Sequence, residues 1–216
     1  SYKKSSGQSG KDREMRKRKR GIFAIEGEWV SDLRGGVSFR PLLEIIYCLN
    51  GSPFVHRDAA TREELFHYLR KWTQKRYARY SGLYLGFHGD QDAILIGDGR
   101  RSNHRLELAE LAENVEGRCA GRIVYIGSCS TMAIDERQLQ RFLRVTGALA
   151  ICGYRNDIEM LRSAAFELLL LDTLLSKTPT LQGVQAMKAS IFREERVLCR
   201  KLGFRMVIRK KPRRRD

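Results

Sequence analysis

No uncharged apolar run in this sequence approaches the ~20 residues that a helix needs to cross a bilayer. The longest apolar stretch, within 166–172, is interrupted by acidic residues. The N-terminus also lacks the apolar core of a signal peptide, because residues 1–20 are rich in Lys, Arg, Ser and Gly. These absences predict a soluble, cytoplasmic protein that is not secreted.

Paired metal-ligand motifs and phosphate-binding loops are missing as well. The five cysteines include no CxxC pair, and no short Cys/His spacing of the kind that binds zinc occurs. No GxxxxGK[ST] loop is present. We therefore predict neither a metal nor a cofactor, and we interpret most cysteines as buried thiols in a reducing compartment. His56 and His104 stand in polar surroundings and are predicted to lie at the surface.

The formal net charge of +16 is concentrated at the two ends of the chain. Residues 1–20 carry nine basic and two acidic side chains, and residues 200–216 carry nine basic and one acidic side chain. The net charge of the remaining residues is close to zero. We predict a basic flexible arm over 1–20, a folded domain over 21–209 and a basic tail over 210–216. Two interpretations of the ends stay open: they solubilise the protein, or they bind nucleic acid, acidic lipid or an acidic protein.

Short apolar strands alternate with amphipathic helices through the body of the chain. Apolar residues make up 42% of the sequence, which is enough for a core. Strands are predicted over 21–26, 53–57, 82–87, 93–96, 121–127, 147–153 and 204–208. Helices are predicted over 41–49, 61–72, 105–114, 135–145, 158–175 and 181–201. This alternation indicates an α/β protein, a three-layer α/β/α fold with a mainly parallel central sheet.

Two of the predicted strands end in reactive side chains. One ends in Phe87-His88-Gly89-Asp90 and the other in Gly127-Ser128-Cys129-Ser130. Sites in open α/β sheets lie off the carboxyl ends of the strands, so we expect His88 and Cys129 to face one cleft. An imidazole beside a thiol favours the nucleophilic thiolate, and the N–H groups of Gly89 and Cys129 are placed to stabilise an oxyanion. The alternative, a core cysteine and a histidine that merely end two strands, stays open.

The order of the motifs resembles that of caspase-type peptidases over about residues 21–176. A strand ends in His88-Gly89, a hairpin and a helix follow, and a further strand leads through one residue to Cys129-Ser130. That group includes caspases, metacaspases, separase and bacterial CHAT-domain proteases. The resemblance implies a caspase-like fold and a metal-independent Cys/His dyad that cleaves a protein substrate after a selected side chain. It further implies a role in bacterial antiviral defence or programmed death. The small size of the chain suggests an effector that is controlled by a partner or by proteolysis.

The same resemblance suggests where a substrate side chain is held. The segment 148–154 is similar to the strand and loop that build the pocket for the residue before the scissile bond. The candidate substrate-binding residues are Asp90, Ser128, Tyr154 and Asp157, with Asp92 as a further acid.

The sequence departs from the family pattern just before the nucleophile. Metacaspases and many CHAT proteases carry Asp at one of the two positions that Gly127 and Ser128 occupy here. Such an acid selects Arg or Lys in the substrate, so its absence leaves the specificity open. It also leaves open a catalytically inactive caspase-like scaffold, and the basic ends leave open a nucleic-acid or partner-binding adaptor.

Overall fold

A six-stranded sheet forms the centre of the protein. The computed structural model describes residues 19–30, 32, 34–97 and 104–210. Its strands are β1 Ile22–Glu26, β2 Phe54–Asp58, β3 Gly82–Gly86, β4 His88–Asp90, β5 Ala93–Leu95, β6 Arg105–Glu107, β7 Ile123–Ile126, β8 Ala150–Tyr154 and β9 Phe204–Ile208. The central sheet has the order β2-β1-β3-β7-β8-β9, and only the edge strand β9 is antiparallel to its neighbour. Strands β4, β5 and β6 form a separate antiparallel sheet.

Helices cover both faces of the central sheet, which confirms the predicted three-layer α/β/α class. They are α1 Arg40–Asn50, α2 Arg62–Trp72, α3 Leu108–Asn114, α4 Glu136–Thr146, α5 Met160–Ser176, α6 Leu181–Glu194 and α7 Arg196–Lys201. Helices α2, α3 and α4 share one buried cluster with the sheet, and α1, α5, α6 and α7 share the other. Among the described residues, no helix has the length and apolar character needed to cross a membrane.

Successive side chains of a central strand pack alternately into the two buried clusters. In β1, Phe23 and Ile25 belong to the cluster with α2, whereas Ile22 and Ala24 belong to the cluster with α1. Because successive side chains of a strand point to opposite faces, a strand covered by helices on both faces is apolar along its whole length. This explains why the central strands read as continuous apolar runs in the sequence.

The predicted start of a helix at residue 61 is confirmed, and a capping box marks it. The Thr61 hydroxyl accepts from the Glu64 N–H at 3.2 Å, and the Glu64 carboxylate accepts from the Thr61 N–H at 3.1 Å, so α2 begins where the sequence indicates. The start of α3 was predicted wrongly. Residues 105–107 form strand β6, where the side chain of Leu106 is fully buried opposite Ile94, and the helix begins only at Leu108.

Several predictions fall outside the part of the chain that the structure describes. The basic arm 1–20 is described only at Lys19 and Arg20, and the basic tail 210–216 only at Lys210. Segment 98–103, which lies between the strand predicted over 93–96 and the helix predicted over 105–114, is also outside the described residues.

Candidate functional site

The candidate site lies at the carboxyl edge of the sheet, where the chain leaves neighbouring strands toward opposite faces. After β1 the chain leads to α1 on one face, and after the adjacent strand β3 it leads to β4–β6 and α3 on the other. In open α/β sheets, ligands bind outside the strand ends at such a point of divergence. Trp29 follows β1 and His88 follows β3, so both residues lie at this point.

His88 is exposed and held in one orientation by the segment after β1. Its Nε2 lies 2.8 Å from the carbonyl oxygen of Trp29, and the two rings make an edge contact with centroids 5.2 Å apart. A carbonyl oxygen only accepts hydrogen bonds, so Nε2 carries a proton in this contact. In the neutral ring, Nδ1 is then the nitrogen with the free lone pair, and it is the atom able to accept a proton.

A buried carboxylate that the sequence analysis missed holds this segment in place. Glu26 Oε1 accepts from the Trp29 indole N–H at 2.5 Å and from the Phe39 N–H at 2.8 Å. Its Oε2 accepts from the Ser38 hydroxyl at 2.7 Å and lies 2.7 Å from His56 Nε2. Burial alone would raise the pKa of Glu26, but these hydrogen bonds outweigh burial and leave the pKa below its ordinary value.

His56 was predicted to be a surface residue, and the structure shows otherwise. Its side chain is 9% exposed because β2 places it against Glu26 of β1. Asp58 Oδ1 lies 4.0 Å from His56 Nε2, so Glu26, His56 and Asp58 form a cluster with the composition of a metal site. Both Glu26 oxygens are already engaged by donors from the loop, and we assign the cluster to holding that loop.

Cys129 lies in the loop after β7, directly against the start of β4. A Cβ atom built on Gly89 would collide with the carbonyl oxygen of Cys129 and lie 2.6 Å from Thr131 Oγ1 and 2.7 Å from Ser128 Cβ. The residue after His88 must therefore be glycine for the two segments to approach this closely. The structure thus packs the backbone of Gly89 onto the backbone of Cys129, and His88 is the next residue along the chain.

The loop that carries Cys129 has a strained backbone. Ser130 has a φ of 55°, a left-handed conformation that costs a non-glycine residue on the order of 1 kcal/mol. Two hydrogen bonds retain it: the Ser130 N–H donates to the Asn156 carbonyl at 3.2 Å, and its hydroxyl donates to Asp157 Oδ1 at 2.9 Å. Strain of this kind concentrates at functional sites.

The backbone N–H groups of Gly89 and Cys129 lack acceptors among the described residues. Asp90 and Ala93 pair across a two-residue turn, so this pair is hydrogen-bonded and the next pair, Gly89 and Ile94, is not. The Gly89 N–H therefore points away from β5. The Cys129 N–H belongs to no helix or strand and donates to no described backbone or side-chain acceptor.

The cysteines differ sharply in their environments. Burial raises the pKa of Cys119 to about 12 and that of Cys199 to about 11, and it raises the pKa of Cys152 further. These thiols therefore remain protonated and unreactive at neutral pH. Cys129 is half-buried in the loop after β7 and Cys48 is exposed on α1, and both are free thiols.

The predicted substrate-binding residues separate into two groups. Asp157 and Asp90 are exposed at the rim, but Asp90 is ion-paired with Arg105, which also bonds Asp92 Oδ1 at 2.6 Å. Asp157 has no cationic partner among the described residues. Ser128 is buried, and its hydroxyl has no hydrogen-bond partner in the described part of the chain.

Tyr154 was predicted to contact substrate, but the structure places its side chain in the core with no exposed surface. Its hydroxyl lies 2.9 Å from the Tyr125 hydroxyl and 3.2 Å from Oε1 of Glu167, a carboxyl group that is itself fully buried. The strand predicted to line a substrate pocket therefore turns this ring away from the cleft and under the α5 layer.

The chain matches the model of one described protein family over most of its length. A model of a family described as "Family of unknown function (DUF6642)" matches residues 19–208, which is nearly the whole chain. No curated protein matches the chain.

Proposed function

The chain belongs to this family of unknown function, and we propose that it is a cysteine endopeptidase of the caspase type, with Cys129 as nucleophile and His88 as general base. The observation that carries the proposal is the packing of Gly89 onto the carbonyl of Cys129 while the Trp29 carbonyl holds His88 Nε2. The order of the motifs along the chain, which resembles that of caspase-type peptidases, is the second support.

The proposed reaction uses the free nitrogen of the histidine. His88 Nδ1 takes the thiol proton, and Cys129 Sγ attacks the substrate carbonyl carbon to give a tetrahedral oxyanion. The N–H groups of Gly89 and Cys129 stabilise that oxyanion. His88 then returns the proton to the leaving amine as the C–N bond breaks, and water hydrolyses the resulting thioester to release the acid and the thiol.

The charges at the rim favour a basic side chain in the substrate. Asp157 is exposed, lies beside Ser130 and carries a charge that no described cation neutralises, whereas Arg105 neutralises Asp90 and Asp92. A lysine or arginine of the substrate gains a charge-assisted hydrogen bond from such a carboxylate. We assign the selection of the substrate side chain to Asp157.

The proposal is tested with a peptide library and an electrophilic acyl probe that labels reactive thiols. The wild-type protein is expected to hydrolyse peptides and to be labelled at Cys129, and Cys129→Ala is expected to do neither. Cys48→Ala is the matched control, because it removes an exposed thiol far from the cleft. Equal labelling of the wild type and Cys129→Ala contradicts the proposal.

A second outcome separates an enzyme from an inactive scaffold. If Cys129 is labelled but no peptide in the library is hydrolysed, the thiol is reactive and the assignment as a peptidase is wrong. The role in bacterial defence rests on the resemblance to caspase-type peptidases alone, and it is tested by whether expression of the wild type, but not of Cys129→Ala, protects bacteria from phage.

A further inference from the structure

The amino-terminal edge of the sheet, opposite the cleft, is strongly basic. The sequence contains no Asp or Glu between Glu64 and Asp90, and this stretch includes the end of α2 and the turn that leads into β3. Five basic side chains lie within 70–79: Arg70, Lys71, Lys75, Arg76 and Arg79. The near-neutral charge of the whole domain hides this local excess.

These side chains stand on a rigid support. Trp72 is fully buried and its indole N–H donates to the Tyr80 carbonyl at 2.8 Å. The guanidinium of Arg122 lies 4.6 Å from the Trp72 ring and donates to the same carbonyl at 3.2 Å. The turn between Trp72 and Tyr80 is thereby fixed to the core from below.

Three outward charges on and beside this turn have no acidic partner among the described residues. Arg70, Lys75 and Arg76 are exposed, and none of them forms an ion pair with an acid among the described residues. Elsewhere on the surface, Arg105 is paired with two aspartates. Clustered like charges repel one another, and a polyanion that binds them relieves that repulsion.

Aromatic rings lie between the charges. The guanidinium of Arg76 is 5.2 Å from the centre of the Tyr77 ring, and that of Arg79 is 5.8 Å from the centre of the Tyr80 ring. The two tyrosine rings are 6.2 Å apart and half-exposed. Single-stranded nucleic acid binds surfaces on which basic and aromatic side chains alternate. The unpaired bases stack on the aromatic rings, and the cations contact the phosphates of the nucleic-acid backbone.

The first described residues of the chain join the basic turn through their backbone. The Gly21 N–H donates to the Arg79 carbonyl at 3.0 Å, and Arg79 donates to the Lys19 carbonyl at 3.2 Å. The sequence before Lys19 is itself rich in Lys and Arg. We propose that this basic edge, formed by Arg70, Lys71, Lys75, Arg76 and Arg79, binds single-stranded nucleic acid independently of the chemistry at Cys129.

The proposal is tested by fluorescence anisotropy of a labelled single-stranded 20-mer of mixed sequence, titrated with the full chain at several salt concentrations. We expect the affinity of the wild type to fall steeply as salt rises, with a slope of about −0.7 per phosphate contact. The variant Lys75→Glu/Arg76→Glu is expected to bind at least about tenfold more weakly and with a shallower salt slope.

The matched control changes the same number of charges at the opposite edge. Arg137 in the first turn of α4 and Lys201 at the end of α7 are exposed and form no ion pair with described residues. Both variants change the net charge by the same amount, so a difference between them reports the position of the charges. Arg137→Glu/Lys201→Glu is expected to bind the oligonucleotide within about twofold of the wild type. Equal losses in the two variants would overturn the proposal, because the binding would then follow net charge alone.

Two further results would also overturn it. One is the absence of salt-dependent binding to the oligonucleotide. The other is binding to vesicles that contain anionic lipid without binding to the oligonucleotide, which would assign the basic edge to a membrane surface. Labelling of Cys129 by the acyl probe is expected to be unchanged in Lys75→Glu/Arg76→Glu, so failure here is distinguishable from failure of the peptidase assignment.

Discussion

At the scale of single residues, Gly89 is the position that the candidate site tolerates least. Any side chain there meets the Cys129 carbonyl, a backbone atom that is not free to rotate away. We expect Gly89→Ala to separate the two segments and to lower peptide hydrolysis by at least about a hundredfold, as small misplacements of catalytic groups do. Gly36→Ala is the control, since a Cβ at Gly36 meets nothing within 4 Å. Unchanged hydrolysis by Gly89→Ala would contradict the described packing.

Asp157 gives a prediction about specificity. We expect Asp157→Asn to slow the cleavage of peptides with Arg or Lys before the scissile bond by about tenfold, while the cleavage of peptides with a neutral residue there changes little. The comparison is made by kcat/KM on matched peptide pairs. Asp172→Asn is the control, because it removes an exposed carboxylate on α5, outside the candidate site. Equal effects on basic and neutral peptides would remove Asp157 from the selection of substrate.

Glu167 gives a prediction about stability and pH. Burial raises the pKa of Glu167 to about 7 from the value of 4.5 that applies in the unfolded chain, although the hydroxyls of Tyr125, Tyr84 and Tyr154 oppose the shift. The folded state therefore holds a proton that the unfolded state releases, so the stabilisation is present below about pH 4.5 and is lost as the pH rises toward 7.

Glu167→Gln removes this titration. Relative to the variant, the wild type is expected to lose on the order of 3 kcal/mol of unfolding free energy between pH 5 and pH 8. Urea denaturation at the two pH values measures the difference, with Glu44→Gln as a surface control. Parallel pH dependence of wild type and Glu167→Gln would show that the buried carboxyl does not titrate in this range.

At the scale of elements, the loop between β1 and α1 decides how His88 is held. Its conformation depends on Glu26, whose two oxygens accept from Trp29, Phe39 and Ser38 and contact His56. In Glu26→Gln one acceptor becomes an amide donor that faces other donors, at a cost of about 1–3 kcal/mol. We expect this variant to remain folded but to lose the fixed contact between the Trp29 carbonyl and the His88 ring.

The readout for Glu26→Gln is the pH profile of Cys129 alkylation, which a purely structural effect would leave unshifted. We expect the profile to move toward higher pH, because a mobile imidazole promotes thiolate formation less effectively. Glu44→Gln, which breaks an exposed ion pair with Arg40, is the matched control. An unshifted profile in Glu26→Gln would show that the loop does not position His88.

The sequence predicted the elements better than the contacts between them. Strand ends that carry His88 and Cys129 could be recognised because continuous apolar runs stop at these residues. The role of Glu26 could not, because it depends on which loop residues fold back onto it. Tyr154 was misplaced for a related reason: in a strand covered on both faces, the pattern does not tell which neighbour a ring meets. The short strand β6 was missed because Arg105–Glu107 continues without a break into α3.

At the scale of the whole molecule, the fold separates two chemical surfaces. The carboxyl edge of the sheet carries the Cys129 thiol, the His88 imidazole and the exposed carboxylate of Asp157. The amino-terminal edge carries the clustered basic side chains. A net charge summed along the chain cannot reveal this division, because parallel strands bring residues distant in sequence to the same edge. The division allows each surface to be altered by mutation without touching the other.

The most direct test of the dyad uses a reference thiol that the protein itself contains. Cys48 is exposed and lies on α1, so its alkylation by iodoacetamide reports an ordinary thiol, and mass spectrometry of peptides follows both cysteines in one sample. The account predicts that near pH 6 Cys129 reacts at least about tenfold faster than Cys48, and that His88→Ala removes the difference while leaving Cys48 unchanged. Alkylation of Cys129 no faster than that of Cys48, or unaffected by His88→Ala, would contradict it.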